Sequence, residues 1–239
     1  MGIWKKILPS FLWEPLNEFR KDYFPNSSRS YSGEGEDLIL SKIFNHKKNG
    51  FYIDIGCYHP KVNSNTYYFY KQGWSGINID ANPQSIEKFN TLRTRDININ
   101  IGISEHSANL TYYMFNESAV NTFSKALFEE RKKIPWLKFI GSKTVTVQPL
   151  ADVLDGLNVP SSIDFMDIDV EGLDMEVLRS NNWEKYIPHV VMVEDQTTEV
   201  KSFEELETFR FLQARGYSLV SKTFSTMIFA HKDFLKTVQ

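Results

Sequence analysis

Residues 51–60 read FYIDIGCYHP: a short apolar run broken by one acid, then a glycine, then a polar stretch closed by proline. Such a run has the length and composition of a buried β-strand, and the glycine marks the turn that leaves it. Working outward, the same kind of run recurs as GINID (76–80), ININIGIS (97–104), IDFMDID (163–169) and HVVMVED (189–195). Between them, 64–72, 83–92 and 172–182 have helical length, and Pro83 follows Asn82 where a first helical turn accepts proline. Strands alternating with helices predict a parallel sheet covered on both faces.

Around this frame the chain is less regular. YSGEGEDLILSKIF (31–44) reads as a loop opening a helix, with Glu36 and Asp37 in its first turn. From Ser104 to Ser162 the alternation stops. LTYYMF (110–115) and TVTVQPL (144–150) look like two further strands, and KALFEERKKIPWLKF between them is basic, aromatic and split by Pro135. An insertion of this size at 105–150 predicts a lid over the acceptor rather than filler. The tail reads as a helix (203–215), a turn at Gly216, and an antiparallel hairpin of YSLVSK with STMIFAHK. Residues 1–30 form an aromatic leader carrying Trp4, Phe11, Trp13 and Phe19 and ending in a polar turn at Pro25–Asn26–Ser27–Ser28; residues 31–239 form one domain. The leader reads either as a cap packed on the domain or as a peripheral contact with a membrane or partner.

Composition excludes several functions. Across 239 residues, 27 basic side chains face 30 acidic ones, which leaves no electrostatic footprint for nucleic acid. One cysteine, Cys57, can form neither a disulfide framework nor a cysteine-rich zinc site, so a reducing, cytoplasmic setting is expected. No run approaches the roughly 18 apolar residues of a transmembrane helix, and Pro9, Glu14 and Pro15 interrupt the start as they would not a signal peptide.

Open parallel sheets bind ligands beyond the carboxyl ends of their strands. There this sequence sets Asp54, Asp80, Asp167, Asp169, Glu171, Glu194 and Asp195. The Gly56 turn lacks the other glycines of a pyrophosphate cradle, whereas Asp80, at the end of the second strand, suits the two vicinal hydroxyls of a ribose. The pair favours S-adenosylmethionine over NAD. The readings left open are an NAD(P)-dependent nucleotide-sugar oxidoreductase and a non-catalytic binding scaffold.

GEDLIL (35–40), FYIDIGCYHP (51–60), SNTYYFYKQGWSGINIDANP (64–83), INIGIS (99–104), NTFS (121–124) and IDFMDIDVEGLDMEVL (163–178), in this order, resemble the FkbM family of S-adenosylmethionine-dependent methyltransferases. The resemblance spans about 30–200. It implies the class I methyltransferase fold, a Rossmann-like seven-stranded mostly parallel sheet with its last strand antiparallel. It also implies O-methylation of a sugar, sugar nucleotide or glycan hydroxyl. On the family's pattern, Asp54, Gly56 and Asp167 line the methionine end of the cofactor, with Glu36 approaching its amino acid portion. Asp80 holds the ribose, and Asn82 and the Ile101–Ser104 turn, with Gly102 and Ile103, flank the adenine. Tyr58–His59–Pro60 stands where a further glycine is usual.

Methyl transfer to a hydroxyl needs alignment and removal of a proton. Asp169, Asp167 and His59 are the candidate bases, His59 having as its alternative a place at the surface or behind the residues that touch the ligand. Asp169, Glu194 and Asp195 form a candidate oxygen-ligand set for Mg²⁺ or Mn²⁺. The ordinary alternatives are helix capping, for Glu171 in particular, and pairing with Lys61, Lys71 or Lys143. Cys57, lacking a partner base, reads as a small residue beneath the cofactor. Asn65, Asn121, Lys133 and Trp136 are candidate acceptor contacts, the basic and aromatic pair suiting a phosphate- or nucleotide-linked sugar. Asn65 also lies in an N-capping run, and the lysines also fit a solvated helix face.

Overall fold

A computed structural model describes residues 9–23, 28–196 and 200–238. Trp4 and the expected turn at 25–27 lie outside them. The chain divides into two compact units, Met1–Ser30 and Tyr31–Gln239. In the first, helix α1 (Ser10–Tyr23) carries Phe11, Leu12, Leu16 and Phe19 exposed.

The second unit is built on a seven-stranded sheet. Its strands are β1 (Phe51–Ile55), β2 (Ser75–Asp80), β3 (Ile97–Asn100), β7 (Phe165–Ile168), β8 (Val190–Glu194), β9 (Tyr217–Lys222) and β10 (Thr226–His231). Their order is β3-β2-β1-β7-β8-β10-β9. All neighbours pair in parallel except β10, which runs antiparallel to both β8 and β9. This is the class I methyltransferase sheet, with its last strand reversed. The terminal hairpin therefore closes one end of the sheet, with β10 inside it and β9 at the edge.

Two-residue periodicity gives the sheet two cores. Ile53, Ile55, Ile77, Ile79, Met166, Ile168, Val191 and Val193 face helices α6 (Leu150–Asp155), α7 (Asp174–Ser180) and α8 (Glu207–Gln213). Tyr52, Phe165, Val190 and Met192 face α2 (Glu36–Ile43), Phe69 of α3 (Tyr67–Lys71), Trp74 and Phe234 of α9 (Lys232–Val238). Helix α4 (Pro83–Leu92) is capped by Asn82, whose side chain accepts the Gln84 N–H. Its Ile86 and Phe89 pack on Cys57.

The run 97–104 is not one strand. β3 ends at Asn100, the Ile101 N–H turns back to the Asp80 carbonyl, and Gly102–Ile103 forms β4 of a separate sheet. A Cβ on Gly102 would meet Val147 Cγ1 at 2.7 Å and the Phe123 ring at 2.9 Å, so glycine admits the chain between the sheets. β5 (Ala108–Phe115) and β6 (Phe139–Gln148) complete the three-stranded sheet in the order β4-β6-β5. The connection between them carries α5 (Lys125–Arg131).

Candidate active site

At the carboxyl edge of the large sheet, β1 turns sharply at Gly56, with φ +94°. The N–H groups of Gly56 and Cys57 both donate to the Ile79 carbonyl, at 2.9 and 3.2 Å. A Cβ on Gly56 would collide with the backbone carbonyl of Asp169. Glycine is thus required twice, for the dihedral and for the approach of the turn after β7.

Two cavities flank this turn and share Gly56, Tyr58 and Asp169. The larger, about 520 Å³, is lined by Asp80, Ala81, Ile101, Gly102, Ile103, Tyr112, Asn121 and Phe123, among others. The smaller, about 330 Å³, is lined by Asp54, Cys57, His59, Asn65 and Asp167. Asp80 accepts the Asn82 N–H at 2.5 Å. Burial raises its pKa to about 7, helped by Asp54 and opposed by the Asn82 N–H and by Lys143. Asp54 and Asp167 sit side by side on paired strands. Burial lifts Asp54 to about 6, against the Thr66 hydroxyl at 2.8 Å and the charge of Arg93. Asp167 is pushed well above the ordinary range by burial and Asp54, although the Asn65 amide donates to it at 2.9 Å.

Asp169 follows β7 and opens onto both cavities. Its side chain reaches solvent, yet the cleft walls close around it, and burial together with Glu194, Glu171 and Asp167 holds its pKa well above the usual range. Carboxylate oxygens of Asp169, Glu171 and Glu194 lie within 4.8 Å of one another. The expected metal set is corrected at one position. Glu194 ends β8, so the next residue, Asp195, turns to the other side, and its carbonyl accepts Lys222 Nζ at 2.6 Å. Glu171 takes its place. Burial and Glu194 raise Glu171 to about 7, against an ion pair with Arg131 of α5. Glu171 does not cap α7, whose N-cap is Leu173 with no side-chain cap bond; Asp174 instead accepts the Val170 and Gly172 N–H groups of the preceding turn at 3.2 Å each.

The remaining candidates are dispersed. His59 Nδ1 accepts the N–H groups of Lys61 and Val62, at 3.1 and 3.2 Å. With that lone pair occupied, the neutral ring carries its proton on Nε2 and has no free basic nitrogen. Burial and nearby Lys88 and Lys61 lower its pKa. Burial raises the Cys57 thiol well above its usual pKa, as suits an inert core residue. Glu36 is buried against the β9–β10 turn, accepting the Thr223 and Thr226 hydroxyls at 3.4 Å, and lines neither cavity. Asn82 caps α4 while its neighbour Ala81 lines the cavity. Asn121 spends its side-chain oxygen on the Phe115 N–H. Lys133 and Trp136 line neither cavity, and Trp136 is 62% exposed.

Sequence reasoning missed the placement of Tyr112 and Phe123 on the cavity, which come from β5 and the segment after it, whose facing the pattern does not reveal, and it missed Arg93, which is wholly buried behind Asp54.

A carboxylate beside a glycine-lined apolar pocket, a second carboxylate pair across a glycine turn, and the sheet order together define a class I methyltransferase cleft. The Methyltransferase FkbM domain matches residues 54–219, most of the chain, and the chain belongs to this family of S-adenosylmethionine-dependent methyltransferases. The match starts after GEDLIL and runs into β9. No curated protein sequence matches the chain. Among solved structures, the chain is similar to methyltransferase FkbM from Methylobacillus flagellatus KT, at 12% identity and TM-score 0.46, over 80% of this chain and 48% of that one. It thus spans about half the length of that relative. Precorrin-6y C5,15-methyltransferase from Geobacter metallireducens GS-15 shows 12% identity and TM-score 0.43, over 88% and 95% of the two chains. A TehB-like SAM-dependent methyltransferase from Corynebacterium glutamicum shows 10% and 0.42, over 94% and 100%. No helix among the described residues is long and apolar enough to cross a membrane.

Proposed function

We propose that this methyltransferase acts on oxygen, at a hydroxyl of a sugar, sugar nucleotide or glycan. The observation that carries the reading is Asp169, a carboxylate of raised basicity exposed where the two cavities meet. S-adenosylmethionine, when bound, supplies an electrophilic methyl group. The residues fit it: Gly56 lets the turns after β1 and β7 meet between the two cavities, and Asp80 and Asp54 offer acceptors on opposite sides. Asp80 takes the ribose hydroxyls. Ile101, Gly102, Ile103, Tyr112 and Phe123 enclose the adenine. Asp54, Asp167 and Asn65 face the methionine end.

Asp169 receives the hydroxyl proton. Because burial and neighbouring acids disfavour its charge, its basicity lies closer to neutrality than that of a free aspartate, which suits a general base. Glu171, neutralised by Arg131, and Glu194 orient the acceptor from the same side. The inserted segment 105–150 covers the adenine half and latches to the acidic turn through Arg131 and through the Thr122 hydroxyl, which donates to the Glu171 carbonyl at 2.6 Å. A cytoplasmic, reducing setting belongs to this reading, in keeping with the absence of any disulfide framework in a chain with one cysteine.

The test is calorimetric titration with S-adenosylhomocysteine, NAD and NADP, followed by methyl transfer from labelled cofactor to a panel of sugar nucleotides and oligosaccharides. Binding of the first alone, with label recovered as an alkali-stable ether, is expected; label recovered as an ester or amine would sink the O-methylation reading. A divalent ion is a second reading, favoured by the three clustered carboxylates and opposed by Arg131, which already neutralises one of them. Activity that survives exhaustive EDTA treatment eliminates it.

A further inference from the structure

Behind Asp54 lies a charge that the cleft itself does not touch. Arg93 follows α4 and is 0% exposed. Its Nε donates to the Pro60 carbonyl at 2.8 Å and Nη1 to the Tyr52 hydroxyl at 2.9 Å. Nη2 serves Ser64 Oγ at 3.0 Å and Thr66 Oγ1 at 3.1 Å. Asp96 Oδ2 stands 3.6 Å from Nη1 and accepts the Tyr52 hydroxyl at 2.7 Å. The rings of Tyr70, Tyr67 and Phe89 surround the guanidinium at 4.8, 5.1 and 5.5 Å from their centroids. A buried cation is costly unless it is fully paired and hydrogen-bonded, and this one is.

Its partners are not scattered. Pro60, Ser64 and Thr66 all belong to the segment that leaves the Gly56 turn and returns to the cleft with Asn65, and the Thr66 hydroxyl passes on a hydrogen bond to Asp54 Oδ2 at 2.8 Å. One rigid fork therefore holds three points of a ten-residue loop that has no regular structure before α3. We propose that Arg93 is a positioning residue for the cofactor: through Thr66 it fixes the rotamer of Asp54, and through Pro60 and Ser64 it sets the loop that presents Asn65 to Asp167. Sheet neighbours alone would leave Asp54 facing Asp167 from β7, with Asp80 of β2 and Asp96 adding negative charge, and Lys143 bears on Asp80. Arg93 supplies the positive charge that acts on Asp54 and Asp96. The inference rests on the reading that Asp54 faces the cofactor.

The test measures S-adenosylhomocysteine binding by calorimetry from pH 5.5 to 8.5 in the wild type and in Asp54→Asn, Thr66→Val, Arg93→Lys and the Thr66→Val/Arg93→Lys double variant. Thr66→Val changes neither charge nor shape appreciably, so it carries the test even where Arg93→Lys proves unstable. Expected are at least fivefold weaker binding in Thr66→Val, a pH midpoint of binding moved upward because Asp54 loses its donor, and a double variant no weaker than its worse parent. Wild-type affinity and pH profile in Thr66→Val, or losses that multiply in the double variant, overturn the role of Arg93. Unchanged binding in Asp54→Asn overturns the cofactor-site reading instead, and the inference with it.

Discussion

The two halves of the cleft differ in how they are made. Around Asp80 the walls are apolar and come from both sheets and their connections: Ile79 from the large sheet, Ile103 and Tyr112 from the inserted one, and Ile101 and Phe123 from the loops beside them. Around Asp54 they are polar, drawn from the ends of β1 and β7 and the loop after β1, and held by the hydrogen bonds of Thr66, Asn65 and Arg93. One half offers shape and one carboxylate, the other a hydrogen-bonded network. A site of the first kind tolerates the loss of a single contact gradually, whereas a network loses several bonds together when one member goes.

The sharpest way to break this comparison is where the halves meet. Asp169→Asn should lower the methylation rate by about 10²- to 10⁴-fold, the usual worth of a general base, while leaving the affinity for S-adenosylhomocysteine within about twofold. Single-turnover kinetics beside calorimetry separates the two effects, and a parallel loss of binding would make Asp169 a cofactor contact instead. Next is Gly56→Ala. It forces a β-carbon into the Asp169 carbonyl at a positive φ, so about 3 kcal/mol of stability and both halves of the cleft should go together, read by denaturant unfolding and by the loss of cofactor-induced stabilisation.

How much of this could be read beforehand followed the periodicity of the residues. β1, β2, β7 and β8 were legible because each is a short apolar run buried on both faces, and their terminal acids came with them. The limits of β3 and β4 were not, because alternating Ile and Asn continues unbroken through Gly102 while the chain changes sheets. Register beyond a strand end was also invisible: Asp195 was grouped with Glu194, and only the end of β8 separates their directions. His59 and Glu36 were placed by sequence neighbourhood, but each is engaged by backbone or hydroxyl groups that no pattern announces. Arg93 carried no signal at all, since a cation just after a helix ordinarily faces water.

A smaller effect distinguishes the halves directly. Asp80→Ala and Asp54→Ala should each weaken S-adenosylhomocysteine binding at least tenfold, but differently. Removing Asp80 leaves an apolar wall and a loss confined to the ribose, so adenosine as a probe ligand should lose the same factor as the whole cofactor product. Removing Asp54 leaves the Thr66 hydroxyl without its acceptor and takes a nearby carboxylate from Arg93, so adenosine should bind nearly as to the wild type while S-adenosylhomocysteine does not. Equal losses of adenosine affinity in both variants would erase the division of the cleft.

The smallest effect is a fraction of a proton. Asp80 near 7 and Asp54 near 6 are partly protonated in the free protein at pH 6.5, since burial disfavours their charged forms. A ribose donating hydroxyls and a ligand bearing a positive sulfonium both favour the ionised acids, so binding lowers these pKa values and expels protons. Affinity for S-adenosylmethionine should therefore rise as pH increases through about 6 to 7 and level off above, where both groups are already charged. Calorimetry at pH 6.5 in buffers of different ionisation enthalpy reads the released protons. Release that falls in Asp80→Asn and is kept in Asp54→Asn assigns most of it to the ribose side. Release that falls in Asp54→Asn and is kept in Asp80→Asn places it instead on the methionine side.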